Sequence, residues 1–173
     1  AGKTLGVIGA GAIGRESIKI GVALGMNVLV YDPFPKERTE GNVKNASLED
    51  VLRQSDFITL HCPLMDSTRQ IINKERIALM KPTAYIVNTS RGALIKEDDL
   101  IEALQQGRLA GAALDVQDPE PPALDNPLFA MDNVIMTPHI GWRRYESRQR
   151  LVDLVAENIK AFIDGKAVNV VNK

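Results

Sequence analysis

Three side chains capable of charge and proton chemistry stand just beyond apolar runs: Arg91, Glu120 and His139. An imidazole holds or releases a proton near neutral pH because its ordinary pKa is about 6.5. His139 follows the run Asn133 to Thr137 and a proline, which makes it the foremost acid–base candidate. A carboxylate beside it would orient the ring and raise its pKa. Glu120, in the stiff stretch Pro119-Glu120-Pro121-Pro122, is the partner expected. Arg91 follows the run Ala84 to Asn88 and precedes Gly92, so its planar fork could grip a carboxylate through two hydrogen bonds. Each residue taken singly has a plainer reading: a loop cap for His139, a solvated glutamate for Glu120, a surface ion pair for Arg91.

A second constellation lies near the start of the chain. Gly9, Gly11 and Gly14 form G-x-G-x-x-G directly after the apolar run Thr4 to Ile8. At a strand-to-helix corner the first glycine permits a tight turn, the second lets the backbone approach a pyrophosphate, and the third lets helix pack on strand. The spacing predicts a helix over about Ala12 to Leu24, with Ile13, Ser17, Ile20, Gly21 and Leu24 on one side. Its N-terminus suits phosphate. Gly25 stops it, a second strand runs from Asn27 to Tyr31, and Asp32 closes that strand 18 residues beyond Gly14. A carboxylate there accepts hydrogen bonds from a ribose diol and repels a 2′-phosphate, favouring NAD over NADP. Lys36 and Arg38 just downstream pull the other way. Glycine triplets alone also arise in ordinary loops, but strand, helix, second strand and aspartate together read as dinucleotide binding.

The rest of the chain alternates in the same manner. Short strands are expected near Val43 to Ala46, Phe57 to Leu60, Ala84 to Asn88, Leu109 to Val116 and Asn133 to Thr137. Helices are expected over Leu48 to Gln54 (capped by Ser47), Lys74 to Met80, Lys96 to Gln106 and Arg143 to Asp164. The last carries Leu151, Val155, Ile159, Phe162 and Ile163 on one side. Such alternation gives the fold class α/β, a doubly wound parallel sheet with helices on both faces. Its strands end along one edge, where ligands bind. That edge collects the glycine corner, Asp32, His61-Cys62-Pro63, Thr89-Ser90-Arg91, Asp115, Glu120 and His139. Asp115 ends an apolar strand and reads either as a partner for a nicotinamide carboxamide or as a loop cap. Cys62 reads as a small residue packed in the core or touching cofactor, since no base but His61 adjoins it. Two histidines without cysteine partners argue against a metal site.

Composition narrows the function classes. The 173 residues are 45% hydrophobic and 25% charged with a formal net charge of −1, which gives no pull toward nucleic acid or anionic membrane. A single cysteine excludes an internal disulfide and points to the cytoplasm. No apolar run approaches the ~20 residues of a membrane span. No leader is visible, and the start Ala-Gly-Lys suggests a processed or excised piece. The expected organisation is a dinucleotide-binding domain over 1–165 and a tail over 166–173.

Taken in order, GxGxxG with Asp32, HCPL, NTSRG, ALDV with a following Glu-Pro, and TPHIGW resemble the D-isomer-specific 2-hydroxyacid dehydrogenases over nearly the whole chain. The resemblance implies a Rossmann-type cofactor domain and NAD as cofactor, with NADP second. It places a substrate carboxylate on Arg91 and proton relay on His139 with Glu120. Cofactor contacts fall on Gly9, Gly11, Ala12, Ile13, Gly14, Asp32, Cys62, Pro63, Thr89, Asp115 and Gly141. The substrate implied is a small 2-hydroxy or 2-keto acid, in a branch similar to glycerate dehydrogenases and hydroxypyruvate reductases, with Trp142 offered to one pocket wall. A homodimer is implied too. Family members carry a second, substrate domain absent from this chain, to which the tail ending Val168-Asn169-Val170-Val171-Asn172 would return, so the chain alone is expected to bind NAD and turn over poorly or not at all. Ala12 departs from the arginine common there, and Met65 from a threonine. The rival function is a non-enzymatic, NAD-sensing module of the corepressor type, which can keep the same three side chains. Alanine dehydrogenases and homocysteine hydrolases lack the NTSRG and TPHIGW pairing, and a methyltransferase would not need Asp32 with the full glycine motif.

Overall fold

The computed structural model describes residues 1–34 and 41–171. The loop residues Pro35, Lys36 and Arg38, and Asn172 and Lys173 at the end of the tail, lie outside them. Among the described residues the order is β1 (Thr4–Ile8), α1 (Ala12–Ala23), β2 (Asn27–Tyr31), β3 (Val43–Asn45), α2 (Leu48–Gln54), β4 (Phe57–Leu60), α3 (Lys74–Ile77), β5 (Tyr85–Asn88), α4 (Glu97–Gln105), β6 (Gly111–Leu114), β7 (Val134–Met136) and α5 (Tyr145–Ile163). By its contacts the chain divides into Ala1–Pro138, which holds the whole sheet, and His139–Lys173, which holds α5.

The seven strands pair in the order β3-β2-β1-β4-β5-β6-β7, every neighbour parallel. This is the doubly wound sheet that the alternation predicts. Parallel strands need crossovers, and helices supply them while burying both faces. On one face Ile18 of α1 packs with Val7, Ala10, Val28, Val30 and Val43. On the other, α2, α3 and α4 cover a larger cluster that includes Ile58, Leu60, Ile86 and Leu114. Side-chain caps start α2 and α3 where the sequence places them, and α5 begins at Tyr145, two residues beyond the expected Arg143. Ser47 accepts from the Asp50 N–H at 3.1 Å and so caps α2. The Asn73 side chain caps α3 in the same way, but α3 closes at Ile77, short of the expected Met80.

The rotation of α1 differs from its sequence pattern. Ile13, Ile20 and Leu24 are exposed, and the helix turns Gly14, Ile18 and Gly21 toward the sheet. A Cβ on Gly21 would stand 2.7 Å from Leu5 Cδ2. Close approach through small residues, rather than the position of the bulky ones, therefore sets which side faces the strands. In the unit His139–Lys173, α5 has the expected apolar stripe, yet none of its residues is buried.

Candidate functional site

The strand order reverses between β1 and β4, which opens a crevice beyond their C-terminal ends. The glycine corner fills one side of it. Gly9 has φ +95°, and a Cβ there would lie 2.5 Å from the Cys62 nitrogen at the end of β4. A Cβ on Gly14 would collide with the Gly9 carbonyl oxygen, whereas one on Gly11 would meet nothing within 4 Å. The corner is thus closed behind and open in front. Gly11 gives α1 no side-chain cap, and no acidic residue occupies the first turn. The orphan N–H groups and the positive end of the dipole are left for an anion.

Asp32 is fixed against this corner. Its Oδ2 accepts from the Ala10 N–H at 2.7 Å and its Oδ1 from the Phe34 N–H at 2.9 Å. A carboxylate has about four acceptor positions, so two backbone bonds orient the group without exhausting it. The open cradle and the braced carboxylate together fit an adenosine dinucleotide.

A hydrogen-bonded path runs on along the sheet edge. His61 Nε2 stands 3.0 Å from Ser17 Oγ on α1 and 3.0 Å from Thr59 Oγ1 on β4. Burial pulls its pKa below the ordinary 6.5, so a neutral ring ties α1 to β4. Cys62 is buried, and burial, followed by the charge of Asp32, pushes its thiol pKa up. A protonated thiol is a poor nucleophile, in accord with the packing role. The Cys62 carbonyl accepts from Ser90 Oγ at 2.9 Å. Pro63 is exposed on the same stretch, its carbonyl accepting from Thr68 Oγ1 at 2.6 Å.

Asn88, 1% exposed, shapes the turn that carries Thr89 and Arg91. Its amide donates to the Arg91 carbonyl at 2.9 Å and its side-chain oxygen accepts from the Ser90 N–H at 3.1 Å. Thr89 itself is exposed. Arg91 is exposed as well, and its Nη1 donates to the Ser90 carbonyl at 2.7 Å. The next residue, Gly92, runs so close to the Gln117 carbonyl that any side chain there would collide. The Gln117 N–H donates to Glu120 Oε1 at 2.9 Å. The Arg91 turn and the Glu120 loop are therefore neighbours at the edge. Buried Asp115 is held between them and β7: its N–H donates to the Asn88 carbonyl at 2.9 Å, and Thr137 Oγ1 donates to its carboxylate.

Ser90 belongs to the edge set read from the sequence, and Asn88 and Thr137 lie within NTSRG and TPHIGW, but the hydrogen bonds of these three are not legible there. A polar side chain closing the apolar run Ala84 to Val87 was the available signal, because a buried amide must find partners.

His139 belongs to the other unit. It takes φ +50°, a left-handed conformation that costs a non-glycine residue ~1–2 kcal/mol and that histidine tolerates better than most. Its carbonyl accepts from the Trp142 indole Nε1 at 2.7 Å, and the Arg148 guanidinium carbon lies 6.0 Å from the Trp142 ring centroid. Gly141, inside the same turn, is exposed. Among the described residues no group of three or more His, Cys, Asp or Glu is placed to hold a metal ion. Nor is any helix among them long and apolar enough to cross a membrane.

Known proteins resemble this arrangement closely. The family model for the D-isomer specific 2-hydroxyacid dehydrogenase NAD binding domain matches residues 1–141. A hydroxypyruvate reductase of Blautia hydrogenotrophica is 50% identical over 173 residues, which are 99% of this chain and 54% of that protein. A glycerate dehydrogenase of Methylorubrum extorquens is 44% identical, again over 99% of this chain and 53% of its own length. The chain thus spans about half the length of these curated relatives. Among solved structures, the NAD-complexed D-isomer specific 2-hydroxyacid dehydrogenase of Lactobacillus delbrueckii ssp. bulgaricus superposes with TM-score 0.92 at 31% identity, over 98% of this chain and 56% of that one. An acyclic imino acid reductase in complex with NADPH and D-Arg gives 0.87 at 35% identity, over 98% and 53%.

Proposed function

The chain belongs to the D-isomer specific 2-hydroxyacid dehydrogenases, as their NAD-binding domain, and from that premise we propose that it serves the reduction of a short 2-keto acid, of the hydroxypyruvate or glyoxylate kind, to its D-2-hydroxy acid. The observation that carries this reading is the open glycine corner with Asp32 braced on the Ala10 N–H. Relatives at 44–50% identity are named hydroxypyruvate reductase and glycerate dehydrogenase, which favours an enzyme over a non-enzymatic sensor.

The amides of Gly11 to Gly14 and the Asp32 carboxylate would hold the dinucleotide, with Cys62, Pro63, Thr89 and Asp115 as further contacts in the same unit and Gly141 assigned to it from the sequence motif. A nicotinamide held there would supply the hydride for the reduction. Arg91 grips the substrate carboxylate and stabilises charge developing on the keto oxygen. His139 gives that oxygen its proton from the imidazole, and Glu120 is the carboxylate assigned to the relay with it. A carboxylate at the ribose makes NAD the preferred cofactor. We further assign the protein to the cytoplasm, from its lone, reduced Cys62, and to a homodimer. In support of the dimer, Leu5, Ile20, Leu24, Met26, Phe57 and Val87 line an apolar hollow of about 420 Å³ in the sheet-bearing unit, a surface suited to burial.

Asp32→Ala tests the cofactor assignment. Calorimetry with NADH and NADPH side by side is expected to show NADH binding weakened by roughly tenfold or more, since a braced acceptor pair to the ribose is lost, while NADPH binding changes little. An unaltered ratio of the two affinities would remove Asp32 from the ribose.

A further inference from the structure

Resting on the reading of His139 as the proton relay, we infer that Trp142 is the positioning residue that aims its imidazole. Three observations within the unit His139–Lys173 carry this. First, His139 is held at φ +50°, where the Cα–Cβ bond leaves the backbone in a different direction than it would from an extended or helical residue. A histidine released from that conformation relaxes to the commoner regions and swings its ring with it.

Second, the restraint on that backbone is identifiable. The Trp142 indole N–H, a donor and never an acceptor, reaches the His139 carbonyl at 2.7 Å. The Arg143 N–H donates to the Ile140 carbonyl at 2.9 Å and closes the same turn. Third, the indole is steadied from beyond the turn. Arg148, in the first turns of α5, sets its guanidinium carbon 6.0 Å from the ring centroid, within cation–π range. Trp142 is also 57% exposed. An aromatic this exposed contributes little to the core of its own unit, and its N–H is the group that bonds the His139 main chain. The resulting strap runs from α5 through Arg148 and Trp142 to the main chain of His139. Misplacing a reacting group by about 1 Å costs on the order of a hundredfold in rate, and a strap on one peptide governs displacements of that size.

The test is a double-mutant cycle in the complete natural protein with NADH and hydroxypyruvate. Trp142→Phe keeps an aromatic ring at the position and deletes the N–H. It is expected to lower kcat about tenfold while the Kd for NADH stays within about twofold. Introduced on top of His139→Gln, the same change is expected to cost nothing further, because there is no relay left to aim. Arg148→Ala leaves the indole N–H in place and is expected to give a smaller fall, about threefold. Proton NMR on the 173-residue chain, which has two histidines, supplies a readout besides activity. Trp142→Phe is expected to move the ring signal of His139 and leave that of His61. Wild-type kcat in Trp142→Phe, or an equal loss with and without His139, overturns the inference alone. Full turnover in His139→Gln overturns the relay reading and the inference together.

Discussion

On the proposed reading, His139→Gln is expected to lower the turnover of hydroxypyruvate by about a thousandfold in the complete natural protein, with NADH binding intact. General acid–base groups contribute roughly 10²–10⁴ to rate, and the amide of glutamine keeps a polar side chain of similar reach without a transferable proton. The loss is expected in kcat, because a proton relay would act on an oxygen whose charge develops only in the transition state. Steady-state kinetics at saturating NADH measures it. Activity within about threefold of wild type would make His139 a turn residue only, the plainer reading open to any histidine that follows a proline.

Arg91→Lys has the second largest expected effect, a fall in kcat/KM of about 10²–10³ with most of it in KM for the keto acid. Lysine keeps the charge but loses the fork, so it cannot match the two oxygens of a carboxylate. Arg91 now donates to the Ser90 carbonyl at 2.7 Å. A neutral bond of that kind contributes only ~0.5–1.5 kcal/mol, less than the charge-assisted pair that a substrate offers. The exposed guanidinium is therefore resting on its own main chain and free to exchange partners. Its peptide is not free, since Asn88 holds the Arg91 carbonyl. Kinetics over a range of hydroxypyruvate concentrations separates KM from kcat. A variant with unchanged KM would take Arg91 away from the substrate carboxylate.

The sequence carried more of this site than its thin secondary-structure signals suggest. The apolar run and the glycine spacing place β1, the corner, β2 and Asp32, because Gly9 and Gly14 each answer to a local steric demand that the fold imposes. Alternation gave the parallel sheet, and parallel strands put every loop of interest on one edge. The rotation of α1 was not legible: which side of a helix meets a sheet depends on how closely the axes approach, and Gly14 and Gly21 set that distance against Leu5 and Gly9. The same holds for the roles of Asn88, Ser90 and Thr137, whose partners come from other strands or from the far side of a turn. Nor did the pattern TPHIGW reveal that its tryptophan bonds the carbonyl of its histidine, since three residues of separation do not fix a left-handed φ.

Everything above depends on a dinucleotide seated at the end of β1. Amide NMR on the chain during titration with NADH examines that seat directly. Gly11, Ala12, Ile13 and Gly14 are expected to show the largest shifts, with Asp32 and Phe34 moving at the same NADH concentration. Saturable binding that leaves the Gly11–Gly14 amides where they were, or no binding at all, would contradict it.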